Sequence, residues 1–204
     1  MDRTRAARWI ALAAVVAALV PALSVVADWL QFAVGWPDRF GSGMRTLVVV
    51  GLLAAAVVTV DALRRHDRAV LSFGIAALAF GVASVLPRGF DQVATILFLV
   101  AQVLLLVFGI LLVRLTVGPD SGRLQRTAGR LVAVGAGLWI AADVAEQLVF
   151  RVWMPPQEAL VGIFAIPQAG QFVGFLAAAL LFAPPLLRPV GAGVRRLWDT
   201  ADVR

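Results

Sequence analysis

Six stretches of mainly apolar residues follow one another along this chain: Trp9–Leu30, Thr46–Ala62, Ala69–Leu86, Val93–Val117, Leu131–Trp153 and Leu160–Ala183. A hydrocarbon core about 30 Å thick needs about 20 apolar residues per helix. The second and third stretches are the shortest and suit nearly upright helices. Lipid offers the backbone no hydrogen-bonding partner, so each stretch must satisfy its own N–H and C=O groups as a helix. Composition agrees, with 61% hydrophobic and 15% charged residues. A soluble domain of this size would have too little polar surface to face water. The connections are short and rich in Gly, Pro and charge, as in Gly35-Trp36-Pro37-Asp38, Gly118-Pro119-Asp120-Ser121-Gly122 and Pro155-Pro156. None can form a separate soluble unit. The expected fold is therefore all-α, a polytopic membrane protein with six transmembrane helices forming one domain over 1–204.

Arginine placement predicts its orientation. Arg3, Arg5 and Arg8 precede the first span. Arg64, Arg65 and Arg68 follow the second, Arg114, Arg123, Arg126 and Arg130 surround the fourth connection, and Arg188, Arg195, Arg196 and Arg204 end the chain. Arg39, Arg45, Arg88 and Arg151 fall on the opposite side. By the positive-inside rule both termini are expected in the cytoplasm. Trp9, Trp29, Trp36, Trp153 and Trp198 lie near span ends, as an interfacial aromatic belt requires. The first stretch also reads as a cleavable leader ending at Val25-Val26-Ala27, which would leave five spans, but its apolar run is longer than a leader's usual core. The net charge of +6 is divided among short segments without interleaved stacking aromatics. It points to the lipid bilayer as partner and not to nucleic acid.

The absent residue types narrow the chemistry. There is no cysteine, no tyrosine and one histidine, His66, and all eighteen basic residues are arginine. A thiolate metal site, a Schiff-base cofactor and a bis-His haem cannot be built within one chain. No cofactor is expected. Gly-x-Ser-x-Gly, His-Glu-x-x-His, Gly-x-Gly-Asp and Walker A patterns are absent. His66 has only Asp67 beside it, and catalysis needs a nucleophile or acid partner. An enzyme is not expected. The lack of lysine in an Ala-, Val-, Leu- and Arg-rich chain suggests a GC-rich genome and hence a bacterial cytoplasmic membrane.

Polar groups inside the spans are costly and mark candidate sites. The fifth span carries Trp139, Asp143, Glu146 and Gln147 on one broad face. The sixth carries Gln168 and Gln171 at the same spacing, and the fourth carries Gln102. Glu146 lies about 4.5 Å outward of Asp143 at 1.5 Å per residue, and Gln168 lies as far outward of Gln171. Three helices thus bring carboxylates and amides to one level, from the midplane into the outer half. No arginine shares that level, and two ionised carboxylates one turn apart repel in a low dielectric, so the pair reads as a protonated acid bonded to glutamines that cements the helices, as a proton, cation or polar-ligand site, or as a pair whose countercharge comes from another subunit. The expected arrangement packs spans five and six side by side, with Asp143 and Glu146 facing Gln168 and Gln171. Gly170 and Gly174 form a GxxxG that suits close helix packing.

Several stretches of the C-terminal half carry a family resemblance. Ala101-Gln102-Val103 through Phe108-Gly109 to Arg114, then Gly129-Arg130-Leu131 with Gly135 and Gly137, and Ile166-Pro167 with Gly170-Gln171 resemble a family of uncharacterised six-span bacterial membrane proteins of the domain-of-unknown-function class. That family has Gly-Glu where this chain has Gly170-Gln171, so an acidic role at position 171 does not carry over. The resemblance implies the six-span fold and no activity. Two functions remain open from the residues. One is an outward-facing intramembrane pocket for transport or binding of a proton, a cation or a small polar solute, built from Gln102, Trp139, Asp143, Glu146, Gln147, Gln168 and Gln171. The other is a non-catalytic structural or regulatory subunit of a larger complex, in which another membrane subunit supplies the missing basic residue.

Overall fold

The computed structural model describes residues 3–34, 41–87, 89–115, 123–152 and 156–186. They form six helices: α1 (Arg3–Val34), α2 (Gly41–Arg65), α3 (Arg68–Val85), α4 (Asp91–Leu115), α5 (Arg123–Val152) and α6 (Gln157–Phe182). All six are long and apolar enough to cross a membrane. Each apolar stretch in the sequence falls on one of them. The helices overrun those stretches where Arg, Gln and Ala continue the hydrogen-bonded ladder past the apolar core; α5, for example, begins at Arg123 rather than Leu131. Gly35–Asp38, Arg39, Arg88, Gly118–Gly122, Trp153 and the arginines and tryptophan of the C-terminal tail lie outside the described residues.

The α2–α3 turn is set locally. His66 takes a left-handed conformation (φ 56°), and the amides of His66 and Asp67 bond back to Leu63 O (3.3 Å) and Ala62 O (3.0 Å). This pair of bonds satisfies carbonyls that the end of α2 would otherwise leave open. Asp67 then caps α3, accepting from the amides of Ala69 and Val70 at 3.1 Å each. Leu86 precedes Pro87 and adopts extended backbone, which stops α3. Asp61 pairs with Arg65 one turn on at 2.9 Å.

Consecutive helices pack against each other, α6 closes back on α1, and α1 also touches α3. The ring is filled by aromatic side chains. Phe73 of α3 lies 5.3 Å from Phe108 of α4 and 5.1 Å from Phe182 of α6. Two turns along, Phe80 lies 5.5 Å from Phe98 of α4, 5.6 Å from Phe175 of α6 and 6.3 Å from Trp139 of α5. The seven-residue steps from Phe73 to Phe80 and from Phe175 to Phe182 place these two layers about 10.5 Å apart. Outward faces stay apolar: Leu53, Val57, Ile96, Leu99, Val134 and Leu180 are all exposed. Such a surface suits lipid and not water.

Helix α5 is held by backbone-to-backbone contact on two sides. A methyl group placed on Gly135 would lie 2.6 Å from Gly174 N and 2.8 Å from Gly170 O of α6. One on Gly109 of α4 would lie 2.5 Å from Ala133 N. The GxxxG of α6 therefore does pack tightly, and its partner is Gly135. Gly137, two residues on, has nothing within 4 Å of the same position. Gly135→Ala should destabilise the bundle by about 1–3 kcal/mol, because backbone and not a flexible side chain must give way. Gly137→Ala should be neutral or stabilising by up to about 1 kcal/mol. Thermal unfolding of the two variants in the same detergent checks both, and equal melting temperatures would contradict the close crossing.

Candidate functional site: a polar cavity among five helices

The polar residues of α4, α5 and α6 separate into three places. Gln102 is buried, and its Nε2 donates to the Asp143 carboxylate, joining α4 to α5. Trp139, one turn before Asp143, is buried against Phe80 and Phe175. Glu146 is half-buried and Gln147 is exposed on the outer surface of α5. Helix α6 presents its glutamines to α1. Gln171 is buried, and its Nε2 donates to Pro21 O of α1 at 3.4 Å. Gln168 borders an apolar groove of about 320 Å³ together with Val25 and Trp29 of α1 and Phe172 of α6. Its Oε1 is buried without a hydrogen-bond partner.

Helices α5 and α6 do pack side by side, as expected. Yet among the described residues no hydrogen bond joins Asp143 or Glu146 to Gln168 or Gln171. Spacing within one helix shows which residues share a face. It does not show which neighbour that face meets. Gly135, Gly170 and Gly174 occupy the α5–α6 seam, so the amides of α6 turn to α1 and the Asp143 carboxylate turns to α4.

A second polar region lies at the end of the bundle where α1 and α3 finish and α2, α4 and α6 begin. It is a cavity of about 290 Å³. Ser24 and Asp28 line it from α1, Arg45 from α2, Ser84 from α3 and Gln171 from α6, with Phe80 and Phe98 among its walls. Asp28 and Arg45 are exposed and form its rim, whereas Ser24, Gln171 and Phe80 are buried. Both serines spend their protons on helix carbonyls: Ser24 Oγ donates to Val20 O at 2.8 Å and Ser84 Oγ to Phe80 O at 2.9 Å. Their lone pairs remain available as acceptors. Gln171 uses its Nε2 on Pro21 O, and its Oε1 makes no hydrogen bond to a described residue. The cavity thus offers a carboxylate, a guanidinium and three neutral oxygen acceptors. Among the described residues, Asp28 and Arg45 form no ion pair with each other or with any other group.

Of the seven site residues expected from sequence, Gln171 lines this cavity. Asp28 reads in sequence as a span-end carboxylate and Arg45 as a marker of sidedness, while Ser24 and Ser84 carry no signal of their own. Among the described residues no group of three His, Asp or Glu side chains gathers to hold a metal ion. Comparison with known proteins finds no matching family model, no matching curated protein and no matching solved structure.

The Gln102–Asp143 link gives a direct test of the α4–α5 geometry. In a double-mutant cycle of Gln102→Leu and Asp143→Leu, the coupling should be about 0.6 kcal/mol and no more than about 1.7 kcal/mol, the range for hydrogen bonds between membrane helices. Unfolding of the single and double variants in mixed micelles measures it. Strict additivity would mean that the two side chains do not meet.

Proposed function

We propose that this chain is a multi-pass protein of a bacterial cytoplasmic membrane, with both termini inside, that binds a small polar solute in the cavity between α1, α2, α3, α4 and α6. The observation that carries the reading is the cavity itself. It sits beside an otherwise apolar interior, and its buried acceptors, Ser24 and Gln171, would be costly to enclose without a polar occupant or water. Its volume lies at the lower limit for small organic ligands, which occupy about 300–1,000 Å³. The arginines at the ends of α2 and α3 that form their shared turn, Arg64, Arg65 and Arg68, lie at the opposite end of the bundle from the cavity. Under the positive-inside rule the cavity therefore opens to the outside.

A second reading, a structural or regulatory subunit of a larger complex, rests on Glu146 and Gln147, which are half-buried and exposed on the outer face of α5 within a candidate span. The two readings separate in one experiment on protein in nanodiscs. Under the first, Ser24→Leu fills the cavity floor and abolishes the rise in melting temperature caused by the bound solute, because a ligand that binds only the folded state stabilises it by mass action. Glu146→Gln with Gln147→Leu leaves that rise unchanged. Under the second, the α5 double variant releases a stoichiometric partner during purification and Ser24→Leu has no effect.

The natural absence of cysteine allows a simple test of sidedness. In whole cells, Phe90→Cys should react with an impermeant maleimide, and Arg64→Cys should react only after the membrane is opened. Reaction of both from outside would reject the proposed topology.

A further inference from the structure

We infer that the solute taken by this cavity is a compact zwitterion, a single molecule bearing an ammonium group and a carboxylate. The inference rests on the reading of the cavity as a solute site and adds the class of solute. Its basis is the pairing of opposite charges around one small space. Asp28 of α1 and Arg45 of α2 both line the cavity, and neither is neutralised by the other or by another described residue. Among the described lining residues the set is balanced, with one carboxylate and one guanidinium.

That balance discriminates among solutes. A simple cation would satisfy Asp28 and leave Arg45 facing an occupied cavity without a partner. A simple anion would do the reverse. A neutral polar solute would replace water's hydrogen bonds to both groups but bring an opposite charge to neither. A close opposite charge makes a stronger, charge-assisted hydrogen bond than a neutral partner, so a zwitterion gains at both ends what the other solutes gain at one end or at neither. The guanidinium favours a planar carboxylate, which it can bind through two parallel N–H···O bonds.

The uncharged groups assign the opposite end. Ser24 Oγ, Ser84 Oγ and Gln171 Oε1 are acceptors whose own donors, where present, are already engaged. They match an ammonium that carries N–H donors. Phe80 and Phe98 complete the walls, and aromatic faces attract cations. Ser24 precedes Asp28 by one turn, so α1 presents an acceptor behind its carboxylate, and the ammonium end is placed along α1. The carboxylate end is placed against α2. Gln171 links α6 to α1 through Pro21 O, which holds the floor together beneath the charged rim.

The test uses full-length protein in nanodiscs and reads thermal melting against graded concentrations of five probes: glycine, β-alanine, ethylammonium, propionate and glycerol. A zwitterion should raise the melting temperature at concentrations at least tenfold lower than ethylammonium, propionate or glycerol. Arg45→Gln should weaken the zwitterion at least tenfold while leaving ethylammonium unchanged, and Asp28→Asn should weaken it likewise while leaving propionate unchanged. Ser24→Leu should remove every response. If a singly charged or neutral probe binds as tightly as the zwitterions and Ser24→Leu abolishes it, the zwitterion inference is overturned and the solute-site reading stands. If no probe raises the melting temperature and Asp28→Asn and Arg45→Gln each lower it without ligand, the two charges act as a structural latch, and both the inference and the solute-site reading fail.

Discussion

Lipid gives membrane helices no hydrophobic reason to associate, so the bundle depends on how closely its backbones approach. The approach is closest around α5. Gly135 meets Gly170 and Gly174 of α6, and two residues earlier Ala133 meets Gly109 of α4. These contacts fix the rotation of α5 about its own axis. That rotation brings Trp139 inward against Phe80 and Phe175 and aims Asp143 at Gln102. It also leaves Gln147 on the outer surface. Small residues thus decide where the polar residues go, although they carry no chemistry themselves.

Large aromatic side chains fill what the small residues leave open. Phe73, Phe108 and Phe182 form one layer, and Phe80, Phe98, Trp139 and Phe175 form the next. Beyond the second layer, Phe80 and Phe98 become walls of a polar cavity. Serine hydroxyls bonded to their own helix carbonyls introduce polarity there without leaving donors unsatisfied. That space is closed by aromatics on its inner side and edged by Asp28 and Arg45.

Hydropathy and residue inventory make much of this protein legible in its sequence. Each of the six apolar stretches becomes a helix, because the bilayer forbids unsatisfied backbone and the stretches are long enough to cross it. The turn at His66-Asp67 falls at a charged break in the apolar pattern, and the structure adds that Asp67 caps the helix after it. The GxxxG of α6 is a packing motif in sequence and in structure alike. The candidate site is only partly legible. Gln102, Asp143 and Trp139 stand out in the sequence as polar or amphipathic groups inside spans, yet Ser24, Asp28, Arg45 and Ser84 give no collective signal. They come from three different helices and meet only through packing.

Chain chemistry alone therefore determined the helices and which residues share a face, since both follow from bonds and spacings within a single segment. It also excluded thiol chemistry, because the chain has no cysteine. Tertiary structure decided which faces meet. Asp143 turns to α4 and Gln171 to α1 because glycine backbones, not amides, fill the α5–α6 seam. Asp28 and Arg45 share a cavity because α1 and α2 pack side by side with their charged residues at the same end. Helix rotation about its axis is set by contacts between helices, and each such contact joins residues that the sequence holds far apart.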